Sequence, residues 1–85
     1  MPTFTLPHLI YGTITNGDFL KIIIRNETNG EEQQTITNSK GRYIVDGGNF
    51  ASGWSDGDEI KLIIGELPQH TENITTDNGD LRLTD

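Results

Sequence analysis

The rhythm of turn residues limits this chain more than any other feature. Asn16-Gly17, Asn29-Gly30, Asn38–Gly41, Gly65–Pro68 and Asn78-Gly79 punctuate it, so that turn signals recur about every 8–14 residues. Between them aliphatic residues occupy alternate positions, and no window carries a helical period. β-Branched residues at this density favour strands. The pattern predicts an all-β fold, an antiparallel β-sandwich of about seven strands.

The predicted strands are Leu9–Thr15, Phe19–Asn26, Glu31–Thr37, Arg42–Val45, Glu59–Ile64, a threonine-rich segment over 69–77, and Leu81–Thr84. Asn16-Gly17 is read as a hairpin turn, because both residues tolerate positive φ. The polar run Glu31–Thr37 suits an edge strand. Gly65 to Pro68 is expected to break the strand before it. Between Val45 and Glu59 lies a glycine-rich crossing that carries Phe50 and Trp54, and large rings on a tightly folded loop are expected to plug the open end of a two-sheet core.

Eighty-five residues make one domain, divided here into an extended N-terminal arm over 1–8 and a sandwich over 9–85. Pro2 and Pro7 resist regular pairing in the arm, while Phe4 and Leu6 alternate with Thr3 and Thr5. The arm lies either on its own domain or on a neighbouring subunit's sheet edge. With no cysteine, neither a disulfide nor thiol chemistry is available. A formal charge of −7, dispersed along the chain, repels phosphate backbones and anionic membranes, so nucleic acid and membrane are not the expected partners. No segment approaches the ~20 apolar residues of a membrane span. MPTFTLPHLI lacks the basic and apolar regions of a secretory signal, so the chain is expected to stay in the cell that makes it or to leave in a particle.

The segments YGTIT, KIIIRNETNGEEQQTITNSKGRYIVD and FASGWSDGDEIKLII together resemble the carboxypeptidase regulatory-like, transthyretin-like group of immunoglobulin-like sandwiches. The matching positions are Gly12, Ile14 and Thr15, then Asn26, Thr28 and Gly30, then Thr35, Thr37, Asn38, Gly41 and Tyr43, then Gly53, Trp54, Gly57, Asp58 and Ile60. The match covers residues 9–64, about two-thirds of the chain, and its motif positions are turn formers and core residues. The turn after Thr15 is shorter than in many such domains. The resemblance implies an accessory or adhesive module rather than a catalyst. For a copy without a signal peptide it implies a virion decoration or tail-associated protein, assembled in the host cytoplasm.

Candidate chemical sites are sparse. Asp56, Asp58 and Glu59, with Asp46, gather carboxylates near one turn, but the spacing does not fit a calcium loop and suits a turn entering a strand. His8 and His70 sit at opposite ends of the chain without companions. Ser39, Ser52 and Ser55 lie in turn-like stretches with no base in pattern. Asn26-Glu27-Thr28 and Asn73-Ile74-Thr75 match the glycosylation acceptor pattern, by chance in a chain rich in Asn and Thr. No metal or cofactor is expected.

With Ile10, Ile14, Ile22, Ile24, Ile60 and Ile64 inward, Tyr11, Ile23 and Ile63 face outward. They are expected to form an apolar patch which, with Phe4 and Leu6 of the arm, contacts protein subunits of a larger assembly or further copies of the chain. The leading expectation is therefore a non-enzymatic structural module. The alternative is a carbohydrate-binding or adhesive module that stacks glycans on Trp54, with Phe50 on the same loop.

Overall fold

A computed structural model describes residues 8–75 and 80–85 of the chain. Among the described residues seven strands are present: β1 (Leu9–Thr13), β2 (Lys21–Asn26), β3 (Glu31–Ile36), β4 (Arg42–Asp46), β5 (Asp58–Ile64), β6 (Leu67–Ile74) and β7 (Leu81–Arg82). They form two sheets, ordered β4-β1-β7 and β3-β2-β5-β6, and the fold is an all-β sandwich. All pairings are antiparallel except that of β1 with β7, which is parallel and departs from the expected pattern. The turn over 78–79 and the end of the expected 69–77 strand lie outside the described residues.

The core follows the alternation. Ile10, Ile22, Ile24, Ile60 and Leu62 are fully buried between the sheets, with Ile14 almost so and Ile64 packed at the margin. Burying one such side chain stabilises the fold by roughly 1.5–3 kcal/mol. Phe50 and Trp54 are only 3% and 2% exposed and lie in the same cluster, so the crossing does plug the core. A single 3-10 turn, Gly47–Asn49, starts that crossing, capped by the Asp46 carboxylate on Gly48 N at 2.8 Å. Of the expected arm only His8 falls within the described residues. It is buried, edge-on to Trp54 at 5.0 Å between ring centroids.

Asn16-Gly17 does not make a hairpin. The chain passes there from β1 in one sheet to β2 in the other. A tight type I′ turn needs positive φ at two successive residues, whereas here Asn16 and Phe19 take it (55° and 52°) and Gly17 does not. Gly17 is packed under Ile14, whose Cγ2 would lie 2.5 Å from an added Cβ. Thr37 ties the crossing down: its hydroxyl accepts from Leu20 N at 2.7 Å and donates to the Gly17 carbonyl.

The tight hairpin lies where a break was expected. Gly65 and Glu66 have φ of 56° and 70°, and Ile64 pairs with Leu67 across them. Strand β6 therefore begins at Leu67 and contains Pro68, tolerable because β6 is an edge strand and the register shifts at Leu62/Ile63 beside it. Asn29-Gly30 does close the β2–β3 hairpin, with Gly30 at φ 80° and its N–H donating to the Asn26 carbonyl at 2.7 Å.

Candidate protein-docking groove

The outer face of the three-stranded sheet is set by what β1 must hide. Ile10 and Gly12 face inward, so Leu9, Tyr11 and Thr13 face out. Gly12 is required where it stands, because an added Cβ would meet the Leu83 carbonyl oxygen at 1.6 Å. That close approach lets Leu83 N donate to the Tyr11 carbonyl at 2.8 Å and draws β7 against β1. Tyr43, inward on β4, donates its hydroxyl to the Leu83 carbonyl at 2.5 Å, and burial pushes its phenol pKa well above the usual range.

With Tyr43 inside, Arg42 and Ile44 must face out. The register sets Tyr11 opposite Ile44 on one side and opposite Arg82 on the other, with Thr13 opposite Arg42. Ile36 adds to this surface from the end of β3, because Thr37 beside it is needed inside as the hydroxyl stitch. Tyr11, Ile44 and Ile36 are 38%, 58% and 65% exposed.

Together these residues line an open groove of about 650 Å³ at the corner where β3 crosses to β4. Among the described residues no carboxylate lines it, although the chain carries 13 acidic residues. Among the described residues neither Arg42 nor Arg82 has an acidic partner within salt-bridge distance, whereas Arg25 bridges Glu27 and Glu32 at 3.0 Å and Lys61 bridges Glu27 at 3.5 Å. The groove is thus an apolar floor beside two arginines that lack acidic partners among the described residues, in an otherwise acidic molecule.

The expected Tyr11/Ile23/Ile63 patch is split by the topology. Ile23 and Ile63 are cross-strand neighbours on the four-stranded sheet and half-buried, and Tyr11 lies on the other sheet. Adjacency in sequence does not make β1 and β2 adjacent in a sheet, because the Asn16–Leu20 crossing separates them. Phe4 and Leu6 lie outside the described residues. Phe50 and Trp54 present no ring face to a glycan, since both rings are spent on the core.

Two of the carboxylates considered for calcium are used locally. Asp58 is buried and accepts from Asn26 Nδ2 at 2.9 Å and Ser55 N at 2.8 Å, while Asp46 takes the N–H groups of His8 and Gly48. Among the described residues no three acidic or histidine groups are placed to hold a metal ion. Asn26 is fully buried and unavailable to a glycosyl donor. His8 pairs through Nε2 with the Thr75 carbonyl, and His70 with Glu72, so the two histidines stand apart. Ser52 donates to Glu31 from Oγ at 2.7 Å and from N at 2.9 Å, which holds the Glu31 carboxyl below its ordinary pKa.

Sequence reasoning missed Ile36, Ile44, Arg42 and Arg82. The run Arg42-Tyr43-Ile44-Val45 leaves its inward parity open, since both parities bury an apolar residue. A lone isoleucine in the polar run Glu31–Thr37 was the available signal. No family model, curated protein or solved structure matches the chain, so nothing identifies it as a carboxypeptidase regulatory-like or transthyretin-like domain.

Proposed function

We propose that this protein is a non-enzymatic structural module that docks on a larger protein assembly through the outer face of its three-stranded sheet. The observation that carries the reading is the groove itself: exposed Tyr11, Ile44 and Ile36, which the core cluster does not include, beside two arginines without an acidic partner among the described residues. Large apolar side chains fixed outward by strand register and grouped at one corner mark a partner surface. A virion, as capsid decoration or tail component, is the setting that the sequence resemblance implies. Among the described residues no helix is long and apolar enough to cross a membrane.

The test is sedimentation of the tagged chain from the cells that make it naturally, beside a Tyr11→Glu/Ile44→Glu variant. The expected result is that the wild-type chain travels with a fast particle and the variant stays at the top of the gradient. Identical slow sedimentation of both would sink the reading.

A further inference from the structure

The groove has a candidate occupant on the chain itself. The β5–β6 turn projects Gly65, Glu66, Leu67 and Pro68 at the end of the four-stranded sheet, next to Ile64, which pairs with Ile22 near the start of β2. All four are exposed, and Leu67 is 65% so. Glu66 stands in the left-handed region at φ 70°, a conformation that costs a non-glycine residue about 1–2 kcal/mol and that the two-residue turn enforces. Among the described residues its carboxylate has no partner. The tip thus pairs an unspent carboxylate with an exposed leucine, the complement of two guanidinium groups beside Tyr11 and Ile44 that lack acidic partners among the described residues.

We propose that this groove receives the Glu66–Leu67 hairpin tip of a second copy of the chain. The proposal rests on the docking reading above and names its partner. Leu67 lies on the Tyr11/Ile44 floor, and Glu66 reaches Arg42 or Arg82 at the margin. Arg82 sits one strand from Tyr11, about 4.8 Å across the sheet, so leucine and carboxylate sites fall within one tip's width.

Side-chain docking fits better than strand addition on β4. The Arg42 N–H and carbonyl are already bonded to Asn38, and the Asp46 carbonyl to Gln33 Nε2, so among the described residues only Ile44 offers both an N–H and a carbonyl on that edge. Pro68 has no N–H to offer a ladder.

The tip belongs to the four-stranded sheet and the Tyr11/Ile44 floor to the three-stranded sheet, and Leu67 is 65% exposed, so the tip does not fill the groove of its own molecule. Reciprocal insertion closes a dimer, and one-way insertion builds a chain of copies. One tip buries little surface, so the expected Kd is weak, on the order of 10–100 μM.

The test is sedimentation equilibrium of the full chain from about 1 μM to 1 mM, in low salt and in roughly 0.5 M NaCl. The wild type is expected to associate, more weakly in high salt. A groove variant (Arg42→Glu/Arg82→Glu) and a tip variant (Glu66→Lys/Leu67→Ser) are each expected to lose association at least about tenfold. Mixed together they retain one intact tip and one intact groove, and are expected to form a 1:1 complex that grows no further. Buried Trp54 fluorescence and an unchanged thermal midpoint establish that both variants fold. Monomeric wild type throughout the range overturns the proposal, as does either folded variant associating like wild type, or a mixture that stays monomeric. A monomeric wild type that still travels with a particle in a Tyr11/Ile44-dependent manner overturns the second-copy contact alone and leaves the docking function standing.

Discussion

The outer faces of the two sheets use similar side chains to opposite ends. On the four-stranded sheet Ile23 and Ile63 are cross-strand neighbours, half-buried beside Arg25 and Lys61, which are bridged to Glu27 and Glu32. On the three-stranded sheet Tyr11 and Ile44 are also cross-strand neighbours, yet the arginines beside them lack acidic partners among the described residues. Exposed ion pairs are worth only about 0–1 kcal/mol each. What separates the faces is therefore less stability than commitment, since one has met its charges internally and the other, among the described residues, has not.

The comparison breaks most completely if the three-stranded face loses its floor. Gly12→Ala drives a methyl into the Leu83 carbonyl oxygen and should detach β7 from β1. Overpacking of this kind costs on the order of 3 kcal/mol. For a domain of this size that lowers Tm by about 12–24 °C, readable by calorimetry. A loss below a few degrees would mean that β7 shifts freely and that the groove's margin at Arg82 is not fixed.

A smaller effect sharpens the contrast between the faces. Ile63→Ser removes a half-buried side chain from the closed face and should cost about 1–2 kcal/mol in urea unfolding, while Ile44→Ser on the open face should stay within roughly 0.5 kcal/mol. The isolated protein is thus expected to tolerate loss of a residue that the proposed docking would need. Equal losses at the two positions would show that Ile44 serves folding, and the groove would then be ordinary surface.

The inward half of this arrangement was legible in the sequence and the outward half was not. Ile22 and Ile24, or Ile60 and Leu62, declare their face locally, because alternation within one strand needs no knowledge of its neighbours. Which strands lie side by side depends on pairings such as Tyr11 with Ile44, far apart in the chain, and an Asn-Gly pair at 16–17 supports a sheet-to-sheet crossing as readily as a hairpin. Ile36 inverts the usual rule. Thr37 goes inside, because its hydroxyl is needed between Leu20 and Gly17, and the isoleucine is turned out as a consequence. The Gly65-Glu66 hairpin was hidden for a related reason, since a glutamate carries the positive φ usually signalled by Asn or Gly.

The smallest effect concerns the edge between the faces. Glu31, at the start of β3, accepts from Ser52 in the crossing, and these bonds favour its ionised form. A carboxyl whose folded pKa is depressed contributes stability above its unfolded value, and that contribution is lost as pH falls through the folded pKa. The group is fully exposed, so the contribution is slight. Ser52→Ala removes the hydroxyl bond and should move the Glu31 midpoint upward, towards the ordinary 4.5, in a carboxyl NMR titration. The stability gap between wild type and variant should narrow as pH falls from about 6 to about 3. An unchanged Glu31 midpoint would show that the Ser52 hydroxyl does not hold this edge. A gap that widened in acid would carry the wrong sign for a depressed carboxyl and would place the cause elsewhere.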